Sequence, residues 1–560
     1  MTRARTLAAL AVALVAAAPA TAAPRDDLLR VVPPDAAVVG LVQNGAAHTK
    51  AVIGSPFAAW FPSTPLGQSL AAGLKFGDAR DGLRTALAAL GTTPDEVVAD
   101  VLGDAVGFAY SPAPGNNPAA ERMVILIRPR APATLSRLVE RLNDLQTRDG
   151  ELKAVERREH GGGVYHVRRR TDGTDEFYTL RNGVFAFSRS EADVRAVIDR
   201  DRTEPADRAP ALAAKLGRLG AADAAVVVLV NPRPLDAELA AKTAAAGPDE
   251  RAFLGRFGEA WRALDAAAFY VTLGDGVEAG VALDFRPGEL TPAARAWLTG
   301  ARTPTALWAA VPDNALGAVA VRFRAAEAVE TLRAVLPEPG RAAIDSTLGS
   351  YLAPVLGRDR LPRVLEALGP DWAVWAEPPA AGAGPLPVLV GAVRLKGDAD
   401  VTRAVERAVG FGFAAARVAY NAKHADQIEI DDEVTADGRV TTLSGEKAFP
   451  AGVRPAFAVK GGYLVLATSP DAVSRFRPPS DAAPPAGEAV IARLSGPALR
   501  AYLREHRDAL VRVIGDADAG RTFDQLAVLL EPVERADVVV RGTETGVRLA
   551  VRIRPVQPLK

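Results

Sequence analysis

The sequence contains no cysteine among its 560 residues. Disulfides, thiolate metal ligands, a cysteine nucleophile and a lipid-modified N-terminal cysteine are therefore excluded. Stability has to come from packing, hydrogen bonds and ion pairs. The absence also fits an exported protein of the bacterial envelope, where a free thiol is open to oxidation.

The chain has no excess of either charge, because Lys plus Arg and Asp plus Glu both total 67. A neutral chain has no long-range field that would draw it to nucleic acid, so we expect no nucleic-acid partner. Histidine is scarce as well, and no two histidines stand four apart on a predicted helix as metal ligands often do. The five are His48, His160, His166, His424 and His506. We therefore assign no metal and no cofactor.

The chain has few long apolar runs, and the N-terminal one reads as a signal peptide. Arg3 and Arg5 precede the apolar segment TLAALAVALVAAAPA, and Ala20-Thr21-Ala22 offers a small-x-small cleavage pattern. We expect residues 1–22 to be removed after Ala22 and the protein to be periplasmic or extracellular. The run is shorter than the roughly 20 apolar residues of a membrane span, so we expect no transmembrane segment after cleavage.

The composition predicts a folded α+β protein. Apolar residues make up 49% and charged residues 24% of the chain, a globular balance. Short β-rich runs follow tight-turn sequences (VFAFSR after RNG, YLVLATS after KGG), and each leads into a helix with Ser190 or Ser469 as the candidate N-cap. We expect mainly antiparallel sheets covered by helices on one face. One helix with such a sheet-facing stripe carries Leu135, Leu138, Val139 and Leu142.

Segments of the first half recur in the same order in the second half, which predicts a tandem duplication of residues 25–290 and 303–560. The matched pairs are VVPPDAAVVGLV (31–42) with AVPDNALGAVAV (310–321), VLGDAVGFAYSP (101–112) with ALGPDWAVWAEPP (367–379), LIRPRAPATLSRLVERL (from 126) with AVRLKGDADVTRAVERA (from 392), RNGVFAFSRSEADV (from 181) with KGGYLVLATSPDAV (from 460), and AAVVVLVNPRPL (from 224) with EAVIARLSGPAL (from 488).

Each predicted half repeats a cruder unit of strand, helices and hairpin. The resulting sub-units span about 31–200 and 211–288, then about 306–476 and 488–557, with Pro-rich linkers at 201–210 and 477–487. The hairpins end in Arg-Pro at Arg128, Arg286 and Arg554. Proline cannot donate to a sheet ladder, so we expect these strands to stop there and the arginines to be solvated at the rim.

Two short motifs resemble parts of hydrolase active sites. HGGG (160–163) copies an esterase oxyanion loop, but the chain has no G-x-S-x-G elbow. SGEK (444–447) fits the S-x-x-K of penicillin-recognising enzymes without their S-D-N and K-T-G elements. We favour a flexible turn for HGGG and an exposed loop for SGEK.

Three charged segments invite a binding interpretation. DADAG (516–520) has calcium-loop character, but Gly520 stands where an acidic ligand is needed, which favours a helix connection. IEIDDEVTADGRV (428–440) predicts a hairpin with a turn at Asp437-Gly438. The hairpin would be a charged edge of the sheet, or else a site for a cation or a basic partner. Its wet face would carry Glu429, Asp431 and Glu433. RREHGGGVYHVRRRT (157–171) is a basic patch around Tyr165, and nearby acidic residues should weaken any phosphate binding.

The signal peptide, the PPDAAVVGLV opening, the junction VLGDAVGFAYSP and the strands NGVFAFS and GGYLVLATS resemble a family of exported bacterial proteins defined as a domain of unknown function. The resemblance covers most of the mature chain. It implies export and repeated α+β segments, and it brings no catalytic residues.

Three functions remain open. The first is a non-enzymatic envelope protein that binds a protein, glycan or lipid partner, supported by the absence of an assembled acid, base, nucleophile and metal set. The second is an exported hydrolase that uses His160, His166 and Ser444. The third is an apolar groove for lipid or hydrophobic peptide, lined or closed by Phe57, Trp60 and Phe61. We lean against an enzyme and assign no catalytic residue.

Overall fold

The computed structural model describes most of the chain. The described residues are 23–53, 55, 68, 76–113, 121–203, 210–290, 295, 298, 300, 303–336, 338–353, 359–397, 399–435, 438–480, 487–516, 518–543 and 545–556. The predicted signal peptide, the aromatic residues Phe57, Trp60 and Phe61, and Asp437 lie outside these ranges. Among the described residues, no helix is both long enough and apolar enough to cross a bilayer.

The chain divides into two compact units, residues 1–49 with 80–241 and residues 50–79 with 242–560. Both are mixed α+β, and the described strand pairings are all antiparallel. The hairpin that ends the first predicted half belongs to the second compact unit.

The first unit contains a sheet with the strand order β8-β1-β2-β3-β7-β6-β5-β4. Its strands are β1 Val38–Gln43, β2 Ala105–Ser111, β3 Arg122–Arg128, β4 Leu152–His160, β5 Gly163–Arg170, β6 Asp175–Arg181, β7 Val184–Ser188 and β8 Val226–Val230.

The α-helices with described bounds up to residue 245 are α1 Pro24–Val31, α2 Gly45–Ile53, α3 Phe76–Ala89, α4 Pro94–Glu96 with a π-helical turn at Val97–Val101, α5 Pro132–Arg148, α6 Glu191–Thr203, α7 Ala211–Arg218 and α8 Asp236–Ala245. The connection Arg233–Leu235 is a 3₁₀ turn.

The first sheet is covered on both faces, which corrects the expectation of one covered face. On one face Leu135 and Leu138 of α5 pack with Ile127 and Phe185. On the other face α6 packs against the side chains of β5 and β6, in a cluster made of Tyr165, Val167, Phe177, Val194 and Ile198. Side chains alternate along a strand, so strands that are apolar at both parities need a cover on each side.

The second unit contains a longer sheet with the order β9-β10-β20-β19-β18-β11-β12-β13-β17-β16-β15-β14. Its strands are β9 Leu264–Leu273, β10 Val277–Phe285, β11 Gly317–Arg322, β12 Leu368–Glu377, β13 Val388–Leu395, β14 Glu429–Thr435, β15 Gly438–Ser444, β16 Ala456–Lys460, β17 Tyr463–Ala467, β18 Glu488–Ser495, β19 Val533–Gly542 and β20 Gly546–Pro555.

From residue 248 onward, the part of the chain with described helix bounds contains α9 Pro248–Ala263, α10 Ala325–Val335, α11 Glu338–Thr347 with a π-helical turn at Leu348–Leu352, α12 Leu361–Ala367, α13 Ala399–Asn421, α14 Pro470–Arg475, α15 Gly496–Ile514 and α16 Ala519–Leu529. Pro287–Glu289 and Ala306–Ala310 form 3₁₀ turns.

Eight strands of the second sheet repeat the order of the first sheet. The order β18-β11-β12-β13-β17-β16-β15-β14 corresponds to β8-β1-β2-β3-β7-β6-β5-β4 when strands are numbered along each half. The register agrees with the matched sequence segments. Gly40 pairs with Phe108 in β1 and β2, and Val319 pairs with Val374 at the matching positions of β11 and β12.

Equivalent tight turns close equivalent hairpins. Asn182-Gly183 joins β6 to β7, and Gly461-Gly462 joins β16 to β17, each with positive φ at both residues. That conformation is the two-residue turn that favours Asn and Gly and matches the twist of a hairpin. Ser190 caps α6 by accepting from the Asp193 N–H at 3.3 Å. Ser469 stands at the N-cap of α14 but makes no capping hydrogen bond.

The Arg-Pro strand ends have different environments. Arg554 is exposed, as expected. Arg128 instead donates to Asp27 at 2.8 Å, and Arg286 donates to the carbonyl of Arg262. Two of the three arginines therefore have specific partners at the strand end.

A ribbon of four strands, β9-β10-β20-β19, shows a local two-fold relation. Val281 of β10 pairs with Leu549 of β20 at the centre of the β10–β20 ladder, and the pairs run antiparallel from Val277 with Ile553 to Asp284 with Gly546. Each central strand has its own hairpin partner, β9 or β19, on its outer side.

Ion pairs link strands β10, β20 and β18 on one face of this ribbon. Glu278 accepts from Arg548 at 3.1 Å and from Arg552 at 2.9 Å, and Arg552 also donates to Glu488 of β18 at 2.7 Å. Burial raises the pKa of Glu278, but its bonds from Arg552 and Tyr270 outweigh burial and leave the pKa below the ordinary 4.5. The bond from Arg552 likewise lowers the pKa of Glu488.

The first prediction concerns the matched pairs in β1–β2 and β11–β12. The Phe108 ring lies where a Cβ at Gly40 would stand. We expect Gly40→Val to cost about 1–2 kcal/mol by overpacking. Adding Phe108→Val recreates the Val319 and Val374 pair of the other half and should restore most of that loss. Urea denaturation of the two single variants and the double variant measures this, and a double variant no more stable than Gly40→Val would contradict it.

The second prediction concerns the ribbon. Glu278→Gln removes the carboxylate that Arg548 and the more exposed Arg552 share, and we expect a loss of about 1–3 kcal/mol in the free energy of unfolding. The matched control is Glu330→Gln, which removes the exposed pair with Arg333 and should change stability by less than about 0.5 kcal/mol. Equal effects of the two variants, measured by urea denaturation with tryptophan fluorescence, would contradict the role of the network.

The third prediction is the pH dependence of the same network. Because the folded-state pKa of Glu278 and Glu488 is lowered, their stabilisation is present above the unfolded value of 4.5 and is lost as pH falls below it. We expect the melting temperature to fall less steeply with acidification in Glu278→Gln than in wild type. Parallel pH profiles of the two proteins would show that Glu278 is not responsible.

Candidate functional site

The HGGG segment forms the turn of the β4–β5 hairpin. Gly161 and Gly162 have φ of 56° and 76°, and His160 pairs with Gly163 across the turn. The His160 Nε2 lies 2.9 Å from Asp199 Oδ2 of α6, and this hydrogen bond lowers the pKa of Asp199. The hydrogen bond between His160 and Asp199 links the tip of the β4–β5 hairpin to α6.

His166 has a different environment from His160. It pairs with Arg157 in the β4–β5 ladder and stacks on Tyr178 with ring centroids 4.7 Å apart. Its Nδ1 is buried and has no hydrogen-bond partner. Burial, and secondly the charge of Arg157, lowers the pKa of His166. The two histidines therefore have separate partners and form no catalytic pair.

Ser444 ends β15 and donates to Asp431 of β14 at 2.5 Å. It contributes to a hairpin in which Glu429, Asp431 and Glu433 are exposed, which agrees with the expected wet face. Asp516 accepts from the Asp518 N–H just before α16. Within the described ranges, no group of three or more His, Cys, Asp or Glu side chains is arranged to hold a metal ion.

The basic patch at 157–171 is neutralised by carboxylates. Arg158 pairs with Glu156 at 2.7 Å and with Glu191 at 3.2 Å, and Arg169 also pairs with Glu156. Arg168 pairs with Glu176. The patch consists of structural ion pairs that join β4, β5, β6 and α6.

Among the residues that the structure describes, an apolar row across the second sheet stays partly exposed. We call it row 2 and define it as Val319, Val374, Gly391 and Leu466, which are cross-strand neighbours on β11, β12, β13 and β17. Val319, Val374 and Leu466 are 50%, 57% and 38% exposed. The opposite face of the same strands is core, with Ala373, Trp375 and other side chains buried.

Helices cover the row 2 face on either side of the row. Toward one end of the strands, Val364 of α12 and Val405 of α13 pack with Val393 and Leu464. Toward the other end, Ala376 packs against the cluster built around α15. Row 2 therefore lies between two helix-covered regions of the same sheet face.

Apolar residues continue from row 2 across the rest of the second sheet. The cross-strand partners are Ala492 of β18, Val538 of β19, Val551 of β20, Ala279 of β10 and Val271 of β9. Val551 is 44% exposed. Together with row 2, this face carries a line of apolar residues over nine strands, in which Gly391 has no side chain.

The first sheet carries a corresponding row. We call it row 1 and define it as Gly40, Phe108, Ile125 and Phe187, which are cross-strand neighbours on β1, β2, β3 and β7. Phe108 is 37% exposed. The helix α5 covers the same face next to it through Ile127 and Phe185. Row 1 is more aromatic than row 2.

The residues that define rows 1 and 2 carry no groups for acid–base or nucleophilic chemistry. A sheet face presents side chains, while its backbone donors and acceptors are used within the ladder. Apolar contact is therefore the interaction that the rows offer. Sequence reasoning missed them because a strand that is apolar at both parities predicts burial on both faces. The one feature of the sequence that could have indicated the rows is that the strands carry more apolar residues than the helices can cover.

Comparison of the chain with protein-family models, with curated proteins and with solved structures finds no match.

Proposed function

We propose that this protein is an exported, non-enzymatic binding protein that holds the apolar chain of a lipid-like molecule against its sheets. The observation that carries the proposal is row 2, where Val319, Val374 and Leu466 remain partly exposed along one line of the sheet. Burying apolar surface stabilises by about 25 cal/mol per Å². A ligand that covers the row gains this energy, which the protein itself leaves unused.

The chemistry of a sheet face favours an aliphatic chain over an extended peptide. A peptide laid across row 2 would bury amide groups against valine and leucine, and each unpaired group costs about 1–3 kcal/mol. An acyl chain has no such groups. Neighbouring strands stand about 4.8 Å apart, so the four strands of row 2 offer a track of about 14 Å, and the continuation over β18 to β9 lengthens it.

We also propose that the chain is a tandem duplication with one row in each half. The support is the matched strand order, the matched register of Gly40–Phe108 and Val319–Val374, and the five collinear sequence pairs. Two equivalent rows on equivalent strands follow directly from such a history. Signal-peptide features at residues 1–22 and the absence of cysteine support export.

The fourth prediction tests row 2 with a neutral long-chain probe. We expect hexadecanol to displace an apolar fluorophore from the purified full-length protein. Val374→Asn and Leu466→Gln should each weaken hexadecanol about fivefold to tenfold, because a polar side chain then meets the alkyl chain. Equilibrium titration of fluorescence measures the change.

The matched control is Val434→Asn. Val434 is 81% exposed on the edge strand β14, outside both rows. It should leave hexadecanol affinity unchanged, and circular dichroism should show the same fold in all variants. Equal loss in Val434→Asn and Val374→Asn, or no displacement by hexadecanol in wild type, would rule out row 2 as the site.

A further inference from the structure

The apolar line that starts with row 2 is much longer than row 2 itself. It continues beyond Val319 through five cross-strand neighbours, which are Ala492 of β18, Val538 of β19, Val551 of β20, Ala279 of β10 and Val271 of β9. We call the whole line, from Leu466 of β17 to Val271, the long row. It crosses nine strands, and eight steps of about 4.8 Å give it a length of about 38 Å. None of its nine residues is polar.

The part of the long row beyond row 2 is also open to solvent. Val551 is 44% exposed, Ala279 is exposed, and the other three positions are partly exposed. The neighbouring positions on this face are apolar too, because Phe269 and Leu549, which both pair with Val281, are 54% and 47% exposed. A contiguous exposed apolar surface on a folded protein commonly marks a binding surface. The exposed strip therefore widens from one line to two on the ribbon.

One end of the long row is closed by a helix. Leu466 pairs with Phe457 of β16. Phe457 is buried, and its ring meets that of Phe413 on α13 edge to face at a centroid distance of 5.0 Å. An alkyl chain on the row therefore ends at Leu466, and any additional length lies toward β9.

The length of the long row distinguishes between aliphatic ligands. The hydrocarbon core of a bilayer is about 30 Å thick and contains two leaflets, so one membrane acyl chain reaches about 15 Å. Such a chain matches row 2 alone, whose length is about 14 Å, and leaves the exposed residues from Ala492 to Val271 in water. A chain about twice as long covers these residues as well and buries their apolar surface.

Two ordinary amphiphiles placed end to end suit the long row less well than one long chain. At least one of the two head groups would lie on apolar residues, either in the middle of the row or at its closed end beside Phe457. A polar group held against an apolar surface without a hydrogen-bond partner is unfavourable. A single chain keeps its one polar end beyond the apolar residues.

We propose that the second compact unit binds a single aliphatic chain, at least about twice as long as a membrane acyl chain, along the long row with its methyl end at Leu466. This rests on the proposed function and adds the length of the chain that the site takes.

The absence of cysteine from the chain allows a direct test. Val374→Cys and Val551→Cys each place a single thiol on the long row, about 10 Å and about 29 Å from Leu466 at about 4.8 Å per strand. The rate at which the thiol reacts with a water-soluble maleimide is measured on the full-length protein. Hexadecanol, or octacosanol with its nearly twofold longer chain, is supplied from cyclodextrin, and cyclodextrin alone is the blank.

We expect octacosanol to slow the reaction about tenfold at both positions, because a thiol beneath an alkyl chain is not accessible to the reagent. Hexadecanol should slow the reaction about tenfold in Val374→Cys and less than about twofold in Val551→Cys, because its chain ends before β20. Val319→Cys and Ala279→Cys repeat the comparison at a second position in each part of the row, so the result does not depend on the folding of one variant.

The matched control is Val434→Cys, on the edge strand β14 outside the long row. Neither alcohol should slow its reaction. Equal slowing of Val434→Cys and Val551→Cys by octacosanol would reduce the effect to general masking of thiols and overturn the site.

Other outcomes separate the length of the chain from the proposed function. Slowing of Val374→Cys alone by both alcohols would overturn the long chain and leave row 2 as a binding surface. Slowing at both positions by hexadecanol would also overturn it, in favour of separate short chains. No slowing at either position by either alcohol would overturn the proposed function together with this inference.

Discussion

The second compact unit depends on the pairing of β10 with β20. This ladder joins Val277–Phe285 to Gly546–Pro555 and brings together strands that lie far apart in the chain. The described pairings attach the β9–β10 hairpin to the rest of the second sheet through β20. The ion pairs of Glu278 with Arg548 and Arg552 lie on one face of this ladder, and the apolar line through Ala279 and Val551 lies on the other. The alternation of side chains along each strand makes that division unavoidable.

Local features of the fold were predictable from the sequence because their causes are local. Asn182-Gly183 and Gly461-Gly462 turns have few conformational choices, so the hairpins around them could be placed. Helix α5 could be oriented because Leu135 and Leu138 share its apolar stripe. The predicted solvation of Arg-Pro strand ends was wrong for Arg128, whose partner Asp27 lies about a hundred residues earlier in the chain.

The candidate site could not be predicted from the sequence because exposure is decided by which helices cover which strands. Val374 and Trp375 are both apolar neighbours on β12, yet one is exposed and the other is core. No periodicity separates them, since both fit a buried strand. The motifs that did stand out, HGGG and SGEK, proved to be a hairpin turn and a strand end held by Asp199 and Asp431. Short motifs often match a sequence by chance, whereas the exposure of a strand residue depends on which helix packs over it.

Charged edge strands complement the open apolar rows. A sheet with exposed apolar faces is at risk of pairing edge to edge with other chains, and charges on the outer strands oppose this. The edge strand β4 carries Lys153, Arg157 and Glu159, and β14 carries Asp431 and Asp432. Each row is also narrow, because helices cover the same face on its flanks, so a flat sheet from another molecule meets those helices before it meets the row. Under the proposed function, the flanking helices would admit a slender aliphatic chain to the row and would hinder the approach of a second sheet.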